Sequence, residues 1–112
     1  MCQFLDFSAV TAKQLDSHTA VNFHGPFAIT QAVVEQMKKQ GTGGSIVSIA
    51  SITATMGSSQ LAHYAATKAA IQGMSVSCAV ALGRYGIRFN TVSPGTIETA
   101  MNKADLRGAK RS

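Results

Sequence analysis

Three residues of this 112-residue chain have types and spacing suited to chemistry: Ser51, Tyr64 and Lys68. Tyr64 precedes Lys68 by four positions, so a helix puts both side chains on one face. Ser51 stands thirteen positions before Tyr64, at the end of the apolar run "SIVSIAS". A free phenol titrates near about 10 and is a poor base at neutral pH. An ammonium one turn away favours the phenolate and is expected to lower that value. A phenol tuned this way can give or take a proton at a carbinol or carbonyl oxygen, which Ser51 can hold. No nucleophile is needed, so the fitting chemistry is redox at a C–O centre, with the hydride carried by a cofactor. A Tyr–Lys pair alone also reads as a solvated surface pair, and only the serine at a strand end gives it a context.

Asn22 adds a fourth candidate. It lies four residues before Pro26, inside a helical pattern where asparagine is a poor helix former. Proline has no N–H, so the Asn22 carbonyl loses its usual partner. A bound water would satisfy that carbonyl and could relay protons toward Lys68 and Tyr64. A plain proline kink is the alternative.

The elements that must position these residues follow from local signals. Thr11 to Gln14 is a capping box opening a helix that runs to about Gln40, where Gly41 stops it. "GTGG" after that helix is a stop and a tight turn. A phosphate cradle needs the reverse order, with glycines opening a helix. "SIVSIAS", Ser45 to Ser51, reads as a strand covered on both faces. A polar loop is expected over 53–60, then a second long helix over Leu61 to Gly83. "IRFNTVS", Ile87 to Ser93, is a second strand, closed by Pro94-Gly95. The fold class is α/β: the helix-strand-helix-strand portion of a doubly wound, Rossmann-like parallel sheet. Ligands of such sheets bind beyond the carboxyl ends of the strands, where Ser51, Pro94 and Gly95 would share an edge with Tyr64 and Lys68.

The second helix carries no charge between Lys68 and Arg84 and has a stripe of small residues, including Ala62, Ala66, Gly73 and Ser77. A helix apolar nearly all round is normally buried all round, which predicts a partner helix from another subunit.

Composition bounds the remaining readings. Hydrophobic residues make up 46% and charged residues 13%, too apolar for a disordered chain and sparing in charge for a small domain. The net charge is +5, of which +3 falls in the last ten residues. That basic tail, about 103–112, reads as solvated, and no nucleic-acid partner is expected. Cys2 and Cys78 form no disulfide framework and read as thiols of a reducing compartment. No metal site is expected, since His18, His24 and His63 lack ligand spacing. His63, although beside Tyr64, reads as a bystander. No basic region precedes an apolar one at the N-terminus, and no apolar run is read as long enough to cross a bilayer. A cytoplasmic chain is the expectation, with no membrane partner.

"SIVSIASITATMGSSQLAHYAATKAAIQGM", followed by "YGIRFNTVSPGTIETAM", resembles the short-chain dehydrogenase/reductase family over nearly the whole chain. "VNFHGPFAITQ" resembles the helix that bears that family's active-site asparagine. The resemblance implies that Ser51 positions the substrate oxygen and that Tyr64 is the general acid/base. It implies that Lys68 lowers the Tyr64 pKa and binds the nicotinamide ribose, and that Asn22 supports a proton relay. Pro94, Gly95, Ile97 and Thr99 would contact the nicotinamide end of NAD or NADP. A small-molecule alcohol or carbonyl is the implied substrate, and subunits would pair through the two long helices. "SPGTIETAMNKADLRGAKRS" is similar to sugar 1-dehydrogenases and also to 3-oxoacyl-carrier-protein reductases, with a lean toward the sugar.

The family's glycine-rich turn, its cofactor-selecting residue and its N-N-A-G stretch have no counterpart in this sequence. The expectation is therefore a catalytic portion that is inactive alone. The alternative is a non-catalytic remnant that pairs with full-length relatives through its long helices.

Overall fold

The computed structural model describes residues 1–95. Helix α1, Ala12–Thr19, opens on the expected capping box. The Gln14 amide donates to Thr11 Oγ1 at 3.1 Å, and the Thr11 amide donates to Gln14 Oε1 at 2.9 Å. Helix α2, Gly25–Gln40, follows, and Gly41 ends it in the left-handed conformation at φ 71°. The single helix expected over 11–40 is interrupted. A π-helical turn, Ala20–His24, joins α1 to α2, and the Gly25 amide reaches back five residues to the Ala20 carbonyl. Pro26 stands at the start of α2 and has no N–H for the Asn22 carbonyl. The chain answers by widening one turn just before it, where the sequence suggested a simple kink.

Strand β1, Gly44–Ile49, pairs in parallel with strand β2, Ile87–Val92, in the register Gly44↔Ile87 to Ile49↔Val92. Two left-handed glycines meet where the strands begin. Gly43 and Gly86 both have φ of 72°, and the Gly44 amide donates to the Gly86 carbonyl at 3.1 Å. A Cβ on Gly43 would lie 2.6 Å from the Gly86 carbonyl oxygen, so this crossing needs glycine for space as well as conformation.

The region expected as a loop contains a short helix, α3, Thr53–Met56, which the Ile52 and Thr53 carbonyls hold against the Met56 and Gly57 amides. Helix α4, Ala62–Leu82, then returns the chain to the start of β2, as a parallel crossover must. The core lies between the sheet and the two long helices. Val34 of α2, Ile87 and Phe89 of β2 are buried together, with Met37, Ile46, Cys78 and Leu82 packed around them.

Among the described residues the helices cover one face of the sheet, which corrects the expectation of a strand covered on both. Exposure alternates along β1, leaving Val47 and Ile49 more than half open. Helix α4 is likewise buried on one side only, through His63, Thr67, Ile71 and Ser75. Its outward side is open, with Val76 67% and Val80 83% exposed and nothing within reach of Gly73.

One further correction concerns length. The stretch Ala62–Tyr85 is long and apolar enough, by length and composition alone, to cross a membrane. The core helix of a soluble protein passes the same test, and this helix carries buried His63, Thr67 and Ser75 on its inner face.

Candidate active site

The hydrogen-bonded ladder continues past the strands and sets the site's edge. The Ala50 amide donates to the Val92 carbonyl at 2.8 Å, and the Ile52 amide donates to the Pro94 carbonyl at 3.3 Å. Ser51, between them, therefore sits beside the Pro94-Gly95 turn at the carboxyl ends of both strands, as the sequence predicted. Ser51 is buried, and its Oγ accepts the Thr53 amide at 3.2 Å. That bond fixes the hydroxyl oxygen at the start of α3 and leaves the hydroxyl hydrogen to be given elsewhere. Tyr64 lies near enough for Ser51 to favour its ionised form by hydrogen bonding.

Tyr64 and Lys68 lie one turn apart on α4, near its start. The Lys68 ammonium is 5.8 Å from the centre of the Tyr64 ring and donates to the Ile49 carbonyl at 3.4 Å. The electrostatics differ from the sequence expectation. Burial pushes the Tyr64 phenol above its ordinary value; the Ser51 hydrogen bond pulls it down, and the charge of Cys2 pushes it up again. The Lys68 ammonium lies over the Tyr64 ring and reaches the end of β1. Burial lowers the Lys68 ammonium itself, against an opposing pull from Cys2.

Asn22 is brought to the same site through the adjacent turn of α4. The π-helical turn buries its side chain, and Nδ2 donates to Thr67 Oγ1 at 3.2 Å and to the Met1 carbonyl at 2.8 Å. Its Oδ1 accepts from the Met1 nitrogen at 2.9 Å. Thr67 Oγ1 in turn donates to the Tyr64 carbonyl at 2.7 Å. The Asn22 amide is thus fully used in holding the Met1 peptide and α4. Any relay must run through its main chain. A groove of about 420 Å³ lies between α2 and β1 and is lined by Asn22, Pro26, Ile46, Ile49 and Lys68.

Pro94 and Gly95 stand at the expected edge, while Ile97 and Thr99 fall outside the described residues, as does the basic tail. Among the described residues no three of His, Cys, Asp and Glu gather as a metal site.

Several site residues escaped the sequence reading. Thr67 links Asn22 to Tyr64, and its only signal was a position one residue before Lys68. Cys2 acts electrostatically on both Tyr64 and Lys68. His18, read only as lacking metal spacing, and His63, read as a bystander, are among the most buried residues, and both bond to the Gln3 backbone.

A parallel two-strand crossover with a serine, a tyrosine and a lysine near its carboxyl edge is part of a doubly wound α/β domain, in which ligands bind at that edge. The model of the short-chain dehydrogenases matches residues 1–110, and the chain belongs to that family. An L-rhamnose-1-dehydrogenase of Scheffersomyces stipitis is 44% identical over 99% of this chain and 43% of its own length. An L-rhamnose 1-dehydrogenase (NAD(P)(+)) of a Sphingomonas species is 43% identical over 95% of this chain and 42% of its own. The crystal structure of a gluconate 5-dehydrogenase from Burkholderia cenocepacia, in complex with NADP and tartrate, superposes with a TM-score of 0.90. It is 30% identical and covers 95% of this chain and 41% of its own. The chain spans less than half the length of these relatives.

Proposed function

We propose that this chain is the proton-transfer segment of an NAD(P)-dependent oxidoreductase acting on the CH–OH group of an alcohol, sugar or ketone. The observation that carries the reading is the placement of Ser51 and Tyr64 at the carboxyl edge of two parallel strands, with Lys68 one turn further along. In the oxidative direction the substrate hydroxyl would lie between Ser51 and Tyr64. Ser51 would hold its oxygen, and Tyr64 would accept its proton as the carbon gives up a hydride. Bound NAD or NADP supplies the acceptor for that hydride. The donor set suits the nicotinamide-ribose end of such a cofactor. Lys68 offers an ammonium to ribose hydroxyls, and Pro94 and Gly95, with Ile97 and Thr99 beyond them, are assigned to the nicotinamide. The described residues offer no glycine-rich turn opening a helix for the pyrophosphate. Asn22 is assigned a supporting role in proton relay through its main chain.

An aldose is the favoured substrate class. The names of the relatives, L-rhamnose 1-dehydrogenases of yeast and bacteria, support a sugar over an acyl thioester. A small-molecule substrate and a cytoplasmic setting complete the reading. The test is a chimaera in which this chain replaces the matching segment of the Scheffersomyces relative, assayed for NAD(P)H formation. Turnover with aldoses supports the sugar assignment, and turnover confined to 3-hydroxyacyl thioesters moves the substrate to the other class. A folded chimaera that oxidises neither contradicts the reading.

A second reading has its own observation. The outward face of α4 is small, uncharged and open, and the exposed Ile29 and Val33 add apolar surface on α2. On this reading the chain pairs through its long helices with full-length relatives or with its own copies. Sedimentation of the purified chain tests it, and a monomer at all concentrations would remove it.

A further inference from the structure

Two buried imidazoles, which the proposed chemistry does not use, grip the backbone of one residue. His18 is 0% exposed and His63 is 4% exposed. Their rings stand edge to face with centroids 4.5 Å apart. The Gln3 amide donates to His18 Nε2 at 3.2 Å, and the Gln3 carbonyl accepts from His63 Nε2 at 2.8 Å. His18 comes from α1 and His63 from the first turn of α4, so each helix holds one side of the same residue.

The partners fix the tautomers. His18 Nε2 accepts, so its hydrogen must sit on Nδ1, where the Gln14 carbonyl lies at 2.8 Å. His63 Nε2 donates, which in the singly protonated ring leaves the lone pair on Nδ1. That atom is buried with no hydrogen-bond partner. An orphaned buried acceptor costs free energy, and a core would ordinarily fill this position with an apolar side chain. The bond to Gln3 is what the imidazole gains there.

The grip reaches the site from two directions. Gln3 adjoins Cys2, whose charge acts on Tyr64 and Lys68, and Cys2 adjoins Met1, whose nitrogen and carbonyl hold the Asn22 amide. His63 adjoins Tyr64 directly. We propose that His18 and His63 are positioning residues. As two imidazoles of opposite tautomer, they hold the Gln3 backbone between α1 and α4, and so set the Met1–Gln3 segment, the Asn22 amide and the burial of Tyr64. The relevance to catalysis rests on the functional reading above, but the device itself is a property of the folded chain.

The test therefore needs neither cofactor nor turnover. Long-range ¹⁵N–¹H correlation on the whole chain reads both tautomers. The expected pattern is hydrogen on Nδ1 of His18 and on Nε2 of His63, and the reverse at either ring overturns the proposal. Phenolate absorbance in a Tyr85→Phe background then reports Tyr64 alone. His63→Leu should let water reach the phenol and bring its titration midpoint down toward the ordinary value, with at least a tenfold loss of Gln3 amide protection. His63→Gln, which can still donate to the Gln3 carbonyl, should restore both. Unchanged Gln3 protection and an unchanged Tyr64 midpoint in His63→Leu would overturn the proposal even if dehydrogenase activity were demonstrated. Expected tautomers with a restored His63→Gln would uphold it even if no activity were found.

Discussion

Asn22 and Thr67, 45 positions apart in sequence, are joined by a buried hydrogen bond of 3.2 Å from Nδ2 to Oγ1. Thr67 passes the connection to the Tyr64 carbonyl at 2.7 Å, so the π-helical turn and the first turn of α4 are one hydrogen-bonded unit. Thr67→Val keeps the shape and removes both bonds, leaving a buried amide hydrogen without an acceptor. A loss of about 1–3 kcal/mol in urea denaturation is expected. A loss below about 0.5 kcal/mol, the scale of surface changes, would mean that the unit carries no weight in the fold.

Tyr64 is tuned by burial and Ser51, which gives a titration with a definite sign. Its folded value is raised above the ordinary 10.0, so the folded chain holds this proton more tightly than the unfolded chain. The resulting stability is fully present below about pH 10 and is lost as pH rises through the higher folded value. In a Tyr85→Phe background, Ser51→Ala should move the phenolate midpoint higher still. Lys68→Met should leave it where it is in the absence of cofactor. A rise with Lys68→Met equal to that with Ser51→Ala would reinstate the lysine as the tuning group.

Gly43 tests the crossing at the start of the strands. Gly43→Ala places a Cβ 2.6 Å from the Gly86 carbonyl oxygen at a φ of +72°. The expected cost is about 1–3 kcal/mol in thermal or urea unfolding. Gly41→Ala shares the positive φ, at 71°, but has nothing within 4 Å of its Cβ, so it should cost less. Equal losses would show that conformation alone, and not the close approach, governs Gly43.

The outward face of α4 separates folding from association. Val80 is 83% exposed, so Val80→Glu should change the stability of the single chain by no more than about 0.5 kcal/mol. If the chain pairs through this face, the same change should abolish the dimer in sedimentation. A dimer that survives Val80→Glu would place the contact elsewhere.

The sequence made the spacing of Ser51, Tyr64 and Lys68 legible because it is local. Tyr64 and Lys68 are one helical turn apart, and Ser51 closes a short β-branched run; such patterns do not depend on distant contacts. The capping box at Thr11, the stop at Gly41 and the parallel strand pair were readable for the same reason. What failed depended on tertiary context. The π-helical turn answers a proline, yet its position is chosen by what the Asn22 amide can reach across the fold. The phenol's shift is set by how deeply α4 packs, and neither helix spacing nor charge count reports that depth. His63 looked like an accident beside Tyr64, because its partner, the Gln3 carbonyl, lies 60 positions away. The open sheet face was misread for a related reason: β-branched composition marks strands that are meant to be covered without saying what covers them.

The central claim is that Tyr64 moves the proton in a dehydrogenase reaction. The most direct measurement is NAD(P)H formation from an aldose by the chimaera carrying this chain, with and without Tyr64→Phe. The account predicts turnover by the first and a kcat lower by about 10²–10⁴-fold in the second, with the fold and cofactor affinity retained. Equal turnover by both, or none from a chimaera that folds and binds cofactor, would contradict it.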